Sequence, residues 1–445
     1  MSDARDARFP FVPTGRGAPL TVERAEGAWL FTREGNRILD AAGGAIMVNV
    51  GHGRREVAEA VARALERTSY VVPVFATEER LRLVERLVER WLPGDLERVF
   101  LTSGGSESVD AALRLARQHH VRAGRPERWK VIGRELSYHG TTLATLAVGG
   151  HTRRREPFGP LLLDLPKAPA CYCLRCPLGK TYPACDVACA DALEEVIVRE
   201  GPESVAAFIA EPVVGSTAGA LAPPPDYWPR VAEICRRHGV LLIADEVMTG
   251  FGRTGRRFGV EHWDVVPDIL VGGKGLAGGY APLGAVFARE AVLAPLAAQH
   301  DELMYYTYGG HPAACAAADA VLGILEREDL VRRAAELGEK LRKALEPLEE
   351  HPNVAQVRGL GLLQAVELVR DRETLEPFPA EARLAMNVVV QGLPRGVFFY
   401  PGGSDPARDV VCLGPPFVIG DEEIELMARV LPEAIDAAVT SLTKS

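Results

Sequence analysis

The stretch Val205-Ala206-Ala207-Phe208-Ile209-Ala210-Glu211-Pro212 and its sequel Val240-Leu241-Leu242-Ile243-Ala244-Asp245-Glu246 decide the fold class. Each is a short, unbroken apolar run that stops at an acid, and a helical pattern over 227–237 lies between them. A run that is apolar at every position has no solvent face, so it reads as a strand covered on both sides. Two such strands around an amphipathic helix form a β–α–β unit, which predicts a mostly parallel sheet in an α/β protein. Ile269-Leu270-Val271 adds a third buried run.

Working outward, 79–91 is amphipathic, Arg98-Val99-Phe100-Leu101 reads as a strand and 107–118 as a helix. Nearer the start, Ala28-Trp29-Leu30-Phe31 and Arg37-Ile38-Leu39 flank Glu34-Gly35-Asn36, a hairpin signal. Residues 55–67 carry apolar side chains at helical spacing. Beyond Pro312, helical and strongly charged sequence runs to about Glu350, its charge read as a solvated face. Strands near 357–362 and 410–413 and a last helix over 421–441 close the chain. The expectation is a large α/β domain over 66–325 with a mostly parallel sheet, plus a smaller α+β domain built from 1–65 and 326–445. No internal repeat is visible.

Composition narrows the function classes. The 445 residues are 47% hydrophobic and 25% charged, and the formal net charge is −9. That is ordinary for a globular protein and leaves no basic footprint for nucleic acid. Residues 1–16 contain no apolar leader core, and no charge-free apolar run approaches the roughly 18 residues of a membrane span. No membrane association is expected, and the expected location is cytoplasmic.

Lysine is scarce: Lys130, Lys167, Lys180, Lys274, Lys340, Lys343 and Lys444 are the whole set. A nucleophilic amine therefore has few candidates. Lys274 lies in Asp268-Ile269-Leu270-Val271-Gly272-Gly273-Lys274-Gly275, just after an apolar strand and between glycines. An amine desolvated there has its pKa lowered and can form a Schiff base with a carbonyl. The competing reading is a lysine snorkelling from a strand end.

Thr102-Ser103-Gly104-Gly105-Ser106-Glu107 joins a strand to a helix. Small residues at such a turn let backbone N–H groups approach an anion at the helix N-terminus, although the same residues suit a plain N-cap. Asp245 and Glu246 end a buried strand where α/β sheets place ligands, or else cap a helix. Ser137-Tyr138-His139-Gly140-Thr141-Thr142 sets an aromatic and an imidazole in a turn, which a core aromatic and a hydrogen-bonded histidine explain equally well. Together, an anion cradle, a stacking aromatic, a carboxylate and a Schiff-base lysine are the parts of a pyridoxal phosphate site.

With Glu246-Val247-Met248-Thr249-Gly250-Phe251-Gly252-Arg253-Thr254-Gly255 and Thr307-Tyr308-Gly309-Gly310-His311-Pro312 added, the sequence resembles the class III aminotransferases. These are pyridoxal-phosphate enzymes of fold type I, and the resemblance runs from about Gly27 to the last helix. It implies that Gly105 and Ser106 hold the phosphate and that Tyr138 stacks on the ring, with His139 also at the cofactor. Asp245 would pair with the pyridine nitrogen and Val247 pack on the opposite ring face. Glu211 would line the pocket and Lys274 form the Schiff base, Lys274 and Asp245 being the catalytic pair. Thr307 would reach the phosphate of a neighbouring subunit, which implies a homodimer with shared active sites, or a tetramer. Ser108 stands where the family more often has alanine.

The resemblance also implies a transaminase that moves an amino group from an amine or ω-amino acid to pyruvate or 2-oxoglutarate by a ping-pong, Schiff-base cycle. Aminomutases, racemases and a decarboxylase share the family's site and are the alternative. Ornithine and 4-aminobutyrate relatives pair a glutamate shortly after the Glu-Pro with an arginine before a late Pro-Pro. Here those positions hold Ser216 and Cys412, and the Gly215-Ser216 version with Pro223-Pro224-Pro225 looks more like the ω-amino acid:pyruvate and amine:pyruvate enzymes. The arginine those enzymes use for the keto-acid carboxylate is replaced by Tyr400. Arg395 or Arg408 is a candidate substitute; a largely apolar pocket faced by Phe399 and Tyr400 is the alternative.

Cys171, Cys173, Cys176, Cys185 and Cys189 crowd one segment. Clustered thiols point either to zinc or to a cysteine-rich surface insertion. The spacing lacks the paired C-x2-C regularity of a zinc ribbon, so an insertion without an ion is expected.

Overall fold

A computed structural model of the chain describes residues 20–443. The segment 1–16 read for a leader, the first part of the 1–65 unit, and Lys444 lie outside the described residues. Strands β1 (Val22–Glu26), β2 (Trp29–Thr32) and β3 (Arg37–Asp40) form an antiparallel meander. The expected β2–β3 hairpin is there, and a fourth strand, Val397–Phe398, pairs parallel with β3. The helix Arg55–Arg67 follows, burying Val57 and Ala64.

The central sheet has seven strands: β4 (Leu96–Thr102), β5 (Lys130–Arg134), β6 (Lys167–Ala168), β7 (Val205–Ala210), β8 (Leu241–Asp245), β9 (Ile269–Gly272) and β10 (Gly284–Arg289). Their order is β4-β10-β9-β8-β7-β5-β6. Only β10 runs against its neighbours, so the sheet is mixed but mostly parallel. Every residue of β7 and β8 is buried, as unbroken apolar runs require. Alternation sorts them between layers. Ile209 and Ile243 pack with Val109, Ala112 and Leu115 of the helix Gly105–Arg122. Phe208 and Leu242 pack with Leu193, Ile197 and Val231 from the helices Ala188–Glu200 and Tyr227–His238.

The region after Pro312 is helical, as expected, and consists of two helices, Pro312–Arg327 and Leu330–Leu345. Asp329 between them has φ +49, which interrupts the helix. A further four-stranded antiparallel sheet closes the chain: β11 (Val354–Leu360), β12 (Leu363–Leu368), β14 (Tyr400–Ser404) and β15 (Ala407–Leu413), in the order β11-β12-β15-β14. Val397–Phe398 is β13. The last helix spans Asp421–Thr443. Among the described residues, no helix is long and apolar enough to cross a membrane.

Candidate active site

Parallel strands bring their carboxyl ends to one edge of a sheet, and ligands bind there because the turns leaving those ends converge. Five turns do so here, those after β4, β5, β7, β8 and β9. They enclose a cavity of about 200 Å³ lined by Gly105 and Ser106, by Tyr138 and His139, by Glu211, by Asp245 and Val247, and by Lys274. Eight of the nine residues expected from the sequence thus share one cavity. The ninth, Thr307, is exposed and does not line it.

The turn after β4 is held from within. Glu107 accepts the Ser103 N–H at 2.8 Å, the Thr102 and Ser108 hydroxyls are 2.7 Å apart, and Ser108 Oγ donates to Gly104 O at 3.1 Å. The Ser108 hydroxyl therefore ties strand end to helix start. This leaves the first N–H groups of the long helix Gly105–Arg122 facing the cavity, without helical acceptors and at the positive end of the dipole. Ser106 Oγ accepts the Thr141 N–H at 3.1 Å. Gly140, with φ +135, lets that loop close: a Cβ there would sit 2.6 Å from Ser106 Oγ.

Opposite the cradle, β8 delivers two acids to different tasks. Asp245 is 4% exposed; its Oδ2 is 2.7 Å from His139 Nδ1, and its Oδ1 accepts the Val247 N–H at 3.1 Å. A carboxylate so placed keeps the histidine proton on Nδ1. Glu246 turns away and accepts N–H groups of Gly259 and Val260 at 2.8 Å each, with the Thr249 hydroxyl as a third donor. Its burial pushes the carboxyl up to about 7 despite these donors. It serves as an anchor for the turn at Gly259–Trp263. Glu211 Oε1 accepts the Tyr138 N–H at 3.2 Å and Oε2 lies 3.8 Å from the Arg134 guanidinium. Burial raises its pKa against the pull of His139 and Arg134.

Lys274 adopts φ +41, a left-handed conformation that a side chain enters only under constraint. Desolvation lowers its amine to about 8, outweighing the stabilising charge of Asp245. An amine near that value is a usable nucleophile and base close to neutral pH.

The model of the class-III aminotransferase family matches residues 12–435 of the sequence. The chain belongs to the class-III aminotransferases. Over 430 residues it is 35% identical to the uncharacterized aminotransferase YodT of Bacillus subtilis, covering 95% of this chain and 96% of that one. It is 37% identical over 435 residues to the taurine–pyruvate aminotransferase of Rhodobacter capsulatus, covering 95% and 92%. The crystal structure of an (S)-enantioselective omega-transaminase from Thermomicrobium roseum superimposes with a TM-score of 0.91 at 39% identity, covering 96% and 95%. The fold is accordingly fold type I of the pyridoxal-phosphate-dependent transaminases, and the protein is an aminotransferase of that cofactor class.

The aminotransferase cavity has the donor set this cofactor needs. Unpartnered helix N–H groups and Ser106 suit a phosphate, and an aspartate oxygen suits a protonated pyridine nitrogen. Tyr138 and Val247 line the same cavity and could each pack on a ring bound there. Gly105 is the close point: a Cβ there would meet Val247 Cγ1 at 2.8 Å. His139 Nε2, buried and without a partner among the described residues, is a polar atom left for a ligand or a water.

At the substrate end, Ser216 lines the cavity and Cys412 is its neighbour: a Cβ on Gly402 would lie 2.4 Å from Ser216 O and 3.2 Å from Cys412 Sγ. The two sequence departures therefore fall at one place. Phe399 does not face the cavity; it is fully buried in the core. Tyr400 is half-buried beside it, on β14 opposite Cys412. Arg395 donates to Gln391 O and lies 3.6 Å from Glu433, away from the cavity. Arg408 is engaged by Asp405 and by Phe378 O. The sequence did not single out Arg154, whose guanidinium lies 4.4 Å from the centre of the Tyr138 ring. The cysteines are all free, with Cys171 in contact with the thiols of Cys173 and Cys189. Among the described residues, no group of three or more His, Cys, Asp or Glu side chains is placed to hold a metal ion.

Proposed function

We propose that the protein transfers an amino group from an amine or ω-amino acid to a keto acid, pyruvate or 2-oxoglutarate, in a ping-pong cycle. Pyridoxal phosphate would be held by Gly105, Ser106, Tyr138, His139, Glu211, Asp245, Val247 and Lys274. The observation that carries this is the meeting of the Lys274 amine, the Asp245 carboxylate and a helix N-terminus on one cavity. The taurine–pyruvate and omega-transaminase relatives support the donor and acceptor classes.

The cofactor, when bound, supplies a carbonyl carbon to receive the amino group and a ring that accepts electrons. Gly105 and Ser106 would hold its phosphate, and Tyr138 and Val247 would pack on its ring. Asp245, oriented by His139, would hold a proton on the ring nitrogen. Lys274 would anchor the cofactor while substrate is absent, and its Nζ, with its pKa lowered by burial, would take up and return the proton at the substrate carbon.

Two copies of the chain would complete the site. Val74 is 81% exposed, Met304 74% and Tyr308 65%, and the Tyr70 and Tyr308 rings lie 6.3 Å apart, so 70–75 and 304–308 form one uncovered apolar patch. Thr307 sits within it, where a neighbouring subunit's phosphate could be reached. The two-unit division at 65/66 and 325/326 belongs to the same proposal: β4 to β10 fall in the central part, and the other strands fall outside it.

The test mixes cofactor-loaded protein with β-alanine, 4-aminobutyrate, ornithine, alanine, aspartate, taurine or an aryl alkyl amine, without acceptor. Loss of the bound cofactor's visible absorbance, restored by pyruvate or 2-oxoglutarate, is expected for at least one donor. Racemisation or decarboxylation with no amino-group transfer would overturn the proposal in favour of an isomerase or lyase.

A further inference from the structure

Beside the cofactor cavity lies a second one of about 320 Å³, and Ser216 lines both. Its wall is cationic, with Arg153, Arg154, Arg383, Arg408 and His151 set against one acid, Asp409. Several of these groups are already committed. Arg408 bonds Asp405 Oδ1 at 2.8 Å, and Asp409 Oδ1 accepts the Ala385 N–H at 3.0 Å. Burial, with Arg154 nearby, lowers His151 to about 4 and keeps it neutral near pH 7.

Arg153, Arg154 and Arg383 are exposed and make no ion pair among the described residues. Arg154 is set apart by its contact with the Tyr138 ring. It lines the basic cavity beside Tyr138, near enough to Lys274 and Tyr400 for its charge to act on both. A guanidinium stacked on an aromatic ring keeps its edge N–H groups free and oriented, and that edge pairs two carboxylate oxygens at once. A tyrosine hydroxyl offers only one donor.

We infer that Arg154 is the residue that recognises the carboxylate of the keto-acid acceptor, taking over the work that Tyr400 and Cys412 leave undone. The inference rests on the transaminase reading for its substrate and on the cavity geometry for its residue. Arg154 sets specificity and does no proton chemistry. The carboxylate sits at the junction marked by Ser216, and the second cavity holds whatever the acceptor carries beyond it.

Two experiments separate the inference from the reading beneath it. In the first, propionate and propionamide are titrated into the pyridoxal-phosphate-loaded protein, followed by visible absorbance and calorimetry, with no turnover required. Arg154→Ala is expected to weaken propionate binding about tenfold or more and to leave propionamide unchanged, while Arg154→Lys restores part of the loss. In the second, protein loaded with pyridoxamine phosphate is mixed with pyruvate or with butanal, an acceptor without a carboxylate. Arg154→Ala should raise the concentration of pyruvate needed for half-maximal rate about tenfold or more, with butanal changed by less than about twofold. Arg395→Ala should leave both acceptors as they are. Equal losses for pyruvate and butanal, unchanged propionate binding, or a propionate loss confined to Arg408→Ala would overturn the inference. A wild-type protein that binds propionate through Arg154 yet converts no acceptor would overturn the transaminase reading alone.

Discussion

The two halves of the paired cavities are built on different plans. At the cofactor end, each wall is a short turn leaving a strand of the central sheet, and polar side chains are locked locally: Asp245 by His139 and the Val247 N–H, Glu211 by the Tyr138 N–H, Ser106 by the Thr141 N–H. At the substrate end, Ser216 is joined by Tyr400 and Cys412 from the four-stranded sheet that closes the chain, and Arg154, with no ion pair among the described residues, lies over the Tyr138 ring. A site that must bind one unchanging cofactor gains from rigid, preorganised donors. A site that must admit both a donor and an acceptor gains from a cation that can move.

The sharpest way to break this contrast is to remove a locked group. Asp245→Asn should lower kcat on the order of 10³-fold with the fold intact, because the ring nitrogen loses its charge partner inside a buried site. His139→Phe, which removes only the orienting contact, should cost about tenfold less. If the two variants were equal in stopped-turnover assays, Asp245 would be acting through its histidine and not at the cofactor.

Steric closeness gives a second, smaller test. Gly105→Ala places a methyl group 2.8 Å from Val247 Cγ1, whereas Gly104→Ala meets nothing within 4 Å. Gly104 has φ 173, extended backbone that any residue adopts. Fluorescence titration of apoprotein with pyridoxal phosphate should show affinity falling about tenfold for Gly105→Ala and less than about twofold for Gly104→Ala. Equal effects would mean that the cradle is looser than its packing implies.

The lowered amine of Lys274 sets a pH dependence. Only the neutral amine captures the cofactor, and its value is lowered to about 8 by burial. Capture by apoprotein should therefore accelerate about tenfold between pH 7 and pH 9 and then level off. An ordinary lysine would keep accelerating above pH 10. Smallest of all, Thr307→Ala should weaken cofactor retention by about fivefold, the value of one hydrogen bond. That loss should appear only at protein concentrations where sedimentation shows two copies associated. A loss already present in the monomer would place Thr307 in its own chain's site.

The same contrast explains what could be seen in the sequence. Strands β7, β8 and β9 were legible because burial on both faces demands unbroken apolar runs, and Asp245 and Lys274 follow those runs directly. The strand β10 escaped because its residues are mostly small and it follows a glycine-rich loop; β5 escaped because Lys130 and Arg134 bracket it and Gly133 interrupts it. Arg154 was illegible for another reason. In sequence it is one of three consecutive arginines with nothing to mark it from its neighbours, and only tertiary packing sets it against Tyr138. Likewise Phe399 looked like a pocket residue, but it falls between β13 and β14 and is buried in the core, while Tyr400 opens β14 half-buried.

The central claim is that one lysine, the one in the left-handed turn after β9, both anchors the cofactor and moves the proton. The most direct measurement is on Lys274→Ala, comparing cofactor attachment after borohydride reduction with turnover of a converting donor and pyruvate. The account predicts cofactor that still binds but is removed by denaturation, no reduced adduct on the chain, and turnover lowered at least about 10³-fold. A reduced adduct on another lysine, or substantial turnover in that variant, would contradict it.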